Sequence, residues 1–149
     1  DAAMVAVEIV ETRLADWTHA SPLAKAADLH SHGALIVGRP VPLRGLTLDF
    51  AAVTARLDLD GRDGLETTAG NPAGDPLRLL GPLARHCVDR HLPLQPGQIV
   101  TTGSFTGMTT VVPATDLAAT IGPLGRLRSR IVTAPGRPTA HDRSTPPSP

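Results

Sequence analysis

Apolar and polar positions along the chain alternate between two periods, and each change of period predicts an element. Val5-Ala6-Val7 and Ile9-Val10 form an apolar run that predicts a strand over residues 5–10, with one acid, Glu8, at its centre. A polar link through Glu11, Thr12 and Arg13 follows, and residues 24–29 predict a short helical or irregular segment. Residues 33–37 (GALIV) are continuously apolar and closed by Gly38, the pattern of a buried strand. In residues 46–57, Leu46, Leu48 and Phe50 alternate with Thr47 and Asp49, the period of two expected of a strand. Residues 60–64 (DGRDG) then carry the Asp-Gly chemistry of a hairpin turn, which leaves 65–68 as the return strand.

Past a loop at 71–76 (NPAGDP) comes the strongest helical signal, over residues 76–91. Leu77, Leu79, Leu80, Leu83, Ala84, Cys87 and Val88 recur at three-and-four spacing, a stripe expected to pack on a sheet. Strands are expected at 98–102, 108–112 and 117–121, with a loop at 103–107 (GSFTG). Leu127, Ser129 and Ile131 alternate with Arg126, Arg128 and Arg130, so the arginines share one strand face. From Val132 onward the chain is rich in proline and poor in apolar residues, and 132–149 is expected to be a disordered tail. Many strands, one strong helix and no regular βαβ alternation predict an α+β fold in a single domain over residues 1–131.

Composition narrows the functions available. Lys+Arg and Asp+Glu balance at 14 each, so no net charge steers the chain to nucleic acid or to a membrane surface. No apolar run approaches the ~18 residues of a membrane span. Cys87 is the only cysteine, which excludes an internal disulfide framework and fits a reducing, cytoplasmic setting. Gly 14 and Pro 15 make about a fifth of the 149 residues, well above the ~12% of average usage, so many turns are expected. The chain starts at Asp1 and enters a strand at once, the pattern expected of a piece of a longer protein.

Candidate chemistry starts at Glu8. An ionised carboxylate buried without a partner costs several kcal/mol. Glu8 therefore either faces water from a half-exposed strand or is paired, protonated or bound to a metal. His30 and His32 sit at i, i+2, which on one strand points them to opposite faces; a solvated turn is the plainer expectation. Cys87 falls on the apolar stripe and is expected in the core rather than as a nucleophile. The segment 101–107 (TTGSFTG) ends an expected strand in hydroxyls and two glycines, where backbone N–H groups and hydroxyls can converge on an anion.

Taken in order, several segments resemble the fumarylacetoacetate hydrolase superfamily, in its branch of 2-keto-4-pentenoate hydratases and 4-oxalocrotonate decarboxylases. AVEIVETRLADW (6–17) resembles the family's A-L-E-I-V-x-S-R-I-x-D-W. AADLHSHGALIVG (26–38) is similar to V-A-D-N-A-S-x-G-x-x-V-x-G, and GDPLRLLGPLA (74–84) to G-H-P-L with its following helix. PLQPGQIVTTGSFTG (93–107) resembles P-L-x-x-G-D-x-x-x-T-G-S-x-T-G, and PATDLAATIGPLG (113–125) resembles A-G-D…G-L-G. The resemblance spans residues 5–131 and corresponds to the carboxy-terminal portion of the family's catalytic domain.

The resemblance implies a mixed β-roll of the fumarylacetoacetate hydrolase C-terminal type, with a divalent cofactor, Mg²⁺ or Mn²⁺. Three carboxylates hold that ion in the family: two from a Glu-x-Glu pair upstream and one from the strand that maps to Glu8. The ion would chelate a small 2-keto acid and stabilise its enolate, while water adds to a 2-hydroxypenta-2,4-dienoate or 2-keto-4-pentenoate in aromatic meta-cleavage catabolism. Thr102 and Ser104 are the implied substrate-binding residues, and no proton donor is assigned. The same motifs serve a decarboxylase of 4-oxalocrotonate. The sequence departs from the pattern in three places: no Glu-x-Glu precedes Glu8, Thr18 follows Asp16-Trp17 where the family has lysine, and Leu29 replaces the asparagine. These departures leave open a non-catalytic paralogue or structural subunit. A homo-oligomer, or pairing with a related subunit, is expected.

Overall fold

The computed structural model describes residues 1–50 and 52–132. Strands β2 (Ala6–Val10) and β3 (His32–Val37) pair antiparallel, with Glu8 opposite Leu35 and an irregularity between Ile9 and Val10. The short strands β1 (Ala2–Ala3) and β4 (Val41–Pro42) make a second antiparallel pair. Between β2 and β3 lies helix α1 (Pro22–Ala27), whose first turn is capped by Ser21 Oγ accepting from the Ala24 N–H at 3.2 Å.

The main layer is a four-stranded antiparallel sheet of β5 (Thr54–Leu59), β6 (Arg62–Thr68), β7 (Asp116–Ile121) and β8 (Gly125–Arg130), in the order β6-β5-β7-β8. The expected hairpin is present. Its turn is Asp60-Gly61, with φ of 53° and 68°, the paired positive values that favour Asp-Gly. The return strand begins at Arg62, earlier than the expected 65.

Val5, Leu117, Ala119, Leu124 and Leu127 form the buried core, and Val7, Ile36, Leu57 and Ile121 pack against it. The β2–β3 pair therefore lies over the inner face of the large sheet. Gly38 extends the pairing of β2 and β3: its N–H donates to the Val5 carbonyl at 2.8 Å, and a Cβ there would meet that oxygen at 3.1 Å. On β8 the alternation holds, with Leu127 buried and Arg126, Arg128 and Arg130 exposed. Arg126 lies 3.8 Å from Asp58 and Arg130 3.6 Å from Asp116, so the arginine face is a solvated surface with local ion pairs.

Other expectations are corrected. Residues 46–57 are not one strand, because the chain turns at Asp49. Its carbonyl accepts from the N–H groups of Ala52 (3.1 Å) and Val53 (2.9 Å), and β5 starts only at Thr54. Leu46 and Leu48 still pack on the core, so their alternation reports burial without a strand. Residues 98–102 and 108–112 are irregular as well.

The helix expected over 76–91 divides into a 3₁₀ turn (Pro76–Leu79), capped by the Asp75 side chain, and helix α2 (Leu80–Asp89). No residue of α2 is buried, and Leu77, Leu79 and Val88 are exposed. The stripe does not pack on a sheet; the segments flanking it are irregular, and the inner face of β5, β7 and β8 packs with residues of β2 and β3. Cys87 is partly exposed and is not a core residue. Among the described residues no helix is long and apolar enough to cross a membrane. The proline-rich stretch expected to be disordered lies, apart from exposed Val132, outside the described residues.

Candidate functional site

The acid at the centre of β2 is neither buried nor alone. Glu8 Oε1 lies 2.8 Å from His32 Nδ1, and the two side chains are 49% and 43% exposed, so the pair is half in water. Cross-strand pairing brings them together: β2 and β3 run antiparallel, and His32 lies opposite Val10, two residues along from Glu8 on the same strand face. His30 is separated from His32 differently than strand alternation suggests. Leu29, His30 and Ser31 occupy a tight turn with φ of 53°, 52° and 66°, which leaves His30 exposed and lets His32 begin β3.

That turn is held by Asp28. Its carboxylate accepts from the Thr12 hydroxyl at 2.8 Å, from the Arg13 backbone N–H at 3.3 Å, and from the Arg13 guanidinium. Arg13 also donates to the His32 carbonyl at 2.9 Å, and the Glu11 N–H to the Ser31 carbonyl at 2.8 Å. Burial pushes the Asp28 carboxyl up, but the Thr12 hydroxyl and the Arg13 hydrogen bonds and charge outweigh it and hold the group below its ordinary value.

A cavity of about 200 Å³ joins Glu8 to the loop at 101–107. Its polar lining comprises Glu8, Arg56, Thr101, Ser104, Thr106 and Thr120, while Val7, Leu35 and Ile121 supply apolar wall. The loop owes its course to Gly103 and Gly107, at φ of 95° and 76°. Ser104 Oγ accepts from the Gly107 N–H at 3.0 Å and donates to the Gly107 carbonyl at 3.2 Å, closing the turn on itself. Two further ties come from the far end of β6. The Thr67 hydroxyl donates to the Phe105 carbonyl at 2.7 Å, and buried Asn71 donates Nδ2–H to the Thr102 carbonyl at 2.9 Å. Gly70 lies so close that a Cβ would fall 2.1 Å from the Phe105 carbonyl oxygen.

The structure thus brings Glu8 and Ser104 to one cavity and leaves Thr102 off its wall, tied through its carbonyl. Arg56, Thr67 and Asn71 escaped the reading of the sequence, and His32, expected in a solvated turn, instead begins β3 beside Glu8. For His32 the signal was the His-Ser-His string, and for Asn71 the Asn-Pro step that marks a turn. Lys25 sits with its ammonium 4.5 Å from the centre of the Trp17 ring, away from the cavity wall.

A second, more open groove of about 480 Å³ runs beside Thr54, Asp58, Glu66 and Arg126. Its charges are used internally: Arg56 donates to Asp58 at 2.6 Å and lies 3.4 Å from Glu66. Among the described residues, no group of three or more His, Cys, Asp or Glu side chains converges as a metal site. Glu8 and His32 offer one carboxylate and one imidazole, whereas Mg²⁺ and Ca²⁺ take oxygen ligands from carboxylates, carbonyls and water. By themselves they do not fit such an ion.

No family model matches the chain. It is 34% identical over 131 residues to the 2-keto-4-pentenoate hydratase of Burkholderia vietnamiensis, covering 85% of this chain and 48% of that protein. Identity and coverage are the same for the 2-keto-4-pentenoate hydratase of Paraburkholderia phymatum. Two solved structures of 4-oxalocrotonate decarboxylase from Pseudomonas putida G7 share the fold at 22% identity. One, complexed with magnesium and adipate, superposes with a TM-score of 0.76; the other, complexed with calcium and acetate, with 0.73. Each match covers 89% of this chain and 49% of the solved one. The chain spans about half the length of the relatives it matches.

Proposed function

We propose that the chain belongs to the 2-keto-4-pentenoate hydratase and 4-oxalocrotonate decarboxylase branch of the fumarylacetoacetate hydrolase superfamily and carries the substrate-holding part of a hydratase site. The reaction is addition of water to a 2-hydroxypenta-2,4-dienoate or 2-keto-4-pentenoate-like acid. One observation carries this reading. Glu8 and Ser104, far apart in sequence, line the same cavity of about 200 Å³, small and part apolar, as a short 2-keto acid requires.

In this reading each part of the cavity has a task. The hydroxyls of Thr101 and Thr106, with the loop N–H groups, hold the substrate carboxylate, while Arg56 at the wall stays paired with Asp58. Ser104 donates to the substrate only by releasing the Gly107 carbonyl, so it shapes the loop first. Val7, Leu35 and Ile121 receive the unsaturated tail and limit water to the attacking molecule. The ion such chemistry uses, Mg²⁺ or Mn²⁺, finds one carboxylate, Glu8, among the described residues. No step is therefore assigned through it, and the reading rests on the cavity. The finer architecture, a mixed β-roll, and association with a second copy or a related subunit belong to the same proposal. Exposed Leu77, Leu79 and Val88 support the association.

The test is turnover by the full chain with Mg²⁺ or Mn²⁺, followed as loss of the dienoate absorbance and appearance of a 4-hydroxy-2-keto acid. Release of CO₂ from 4-oxalocrotonate instead would assign the decarboxylase reading. Absence of both reactions would leave the chain a non-catalytic relative.

A further inference from the structure

The loop at 101–107 is gripped from outside the cavity by two side chains. The Thr67 hydroxyl donates to the Phe105 carbonyl at 2.7 Å, and Asn71 Nδ2–H donates to the Thr102 carbonyl at 2.9 Å. Asn71 is 5% exposed, and its Oδ1 accepts from the Ala73 N–H at 2.9 Å, which fixes the amide with its donor towards the loop. The two donors come from the end of β6 and the stretch after it, and neither residue lines the cavity.

Peptide planarity carries this grip through to the other side of the loop. In a trans peptide the C=O of one residue and the N–H of the next point to opposite sides. Holding the Thr102 carbonyl on Asn71 therefore turns the Gly103 N–H away from Asn71. Holding the Phe105 carbonyl on Thr67 does the same for the Thr106 N–H. Gly103 and Thr106 both line the cavity, and neither N–H has an acceptor among the described residues. The Gly107 N–H, by contrast, is already spent on Ser104 Oγ at 3.0 Å.

We propose that Thr67 and Asn71 are positioning residues that set the Gly103 and Thr106 N–H groups as a paired donor site for one carboxylate of the bound acid. This rests on reading the cavity as a carboxylate site. Donors fixed before the anion arrives lose little freedom on binding it, so the same two N–H groups bind more tightly than on a mobile loop. Gly70 completes the support. A Cβ there would fall 2.1 Å from the Phe105 carbonyl oxygen and 2.5 Å from Thr67 Oγ1, so a side chain would displace both partners of that hydrogen bond.

The experiment titrates adipate, without added metal, into the isotope-labelled full chain and follows assigned amide signals. Adipamide, of the same length but uncharged, is the control. With adipate the Gly103 and Thr106 amide protons should move downfield along one saturating curve, and with adipamide they should stay in place. Thr67→Val keeps the shape and loses the hydroxyl, and should weaken adipate binding about fivefold or more. Thr67→Ser keeps the hydroxyl and should restore binding to within about twofold of wild type. Asn71→Ala should weaken binding to the same degree as Thr67→Val and diminish the Gly103 shift. No adipate response at Gly103 and Thr106 in the wild-type chain, or equal shifts with adipamide, would overturn the proposal. So would a Thr67→Val chain with a lowered urea midpoint and unchanged adipate affinity, the result of a merely structural role. The wild-type shifts are read without any variant, so a misfolded substitution does not blunt the test. Adipate binding in the expected pattern by a chain that hydrates no dienoate would uphold the proposal while the hydratase reading fails. Hydration by a chain whose Gly103 and Thr106 amides ignore adipate would overturn the proposal alone.

Discussion

Strand β8 and helix α2 carry apolar residues at equally regular spacing, yet only one of them enters the core. Leu127 on β8 is 5% exposed, whereas Val88 on α2 is 58% exposed and no residue of α2 is buried. The difference lies in what each element meets. A strand hydrogen-bonded into a sheet inherits its neighbours' inner face, and β7 and β8 place Ala119 opposite Leu127 over the β2–β3 pair. A helix must find a separate surface, and α2 is followed by an irregular stretch with no face to offer. Periodicity predicts which side of an element is apolar; it does not predict that the chain provides the cover.

The comparison breaks most readily at Leu127. Leu127→Ala should destabilise the protein by about 2–5 kcal/mol, the range for a buried leucine that leaves a cavity, read as a fall in urea midpoint. Gly70→Ala sits next in size. Its Cβ would strike the Phe105 carbonyl oxygen, backbone against backbone, so the loop at 101–107 must shift. A cost of about 1–3 kcal/mol is expected, with altered amide shifts confined to that loop and its cavity.

Acid should act on the turn between β2 and β3. The Asp28 carboxyl is held below its ordinary value of about 3.9, so the folded chain gives up its proton more readily than the unfolded one. Its contribution to stability is complete above about pH 4 and is lost as pH falls through the lowered folded value. Asp28→Asn should flatten that part of the acid dependence of the urea midpoint. The smallest effect is expected at Val88. Val88→Ala should change stability by no more than about 0.5 kcal/mol in the isolated chain, and a larger loss would show that α2 is covered in solution.

Much of the fold was legible where local chemistry and tertiary contacts agree. The apolar run around Glu8, the Asp-Gly turn and the alternation at Leu127 each became the element they predict, and GALIV became a strand but a partly exposed one, not the buried one expected. Leu46 and Leu48 misled because burial also favours alternation in a chain that merely crosses the core edge before turning at Asp49. Glu8 and Ser104 were singled out through the family resemblance, and both line the same cavity. His32 was not, because a histidine two residues from another reads as alternation until the left-handed turn at Leu29–Ser31 resets the strand. Thr67 and Asn71 were hidden for another reason. They shape the loop by hydrogen bonds to backbone carbonyls, and such contacts leave no pattern in the residues that receive them.

The central claim is that the β2 acid and the 101–107 loop form one ligand site. It is tested most directly by titrating adipate with Mg²⁺ into the isotope-labelled full chain and following assigned amide signals. The account predicts that Glu8, Thr101, Gly103, Ser104 and Thr106 shift together along one saturating curve. Shifts confined to the open groove at Thr54 and Glu66, or a loop that responds while Glu8 does not, would contradict it.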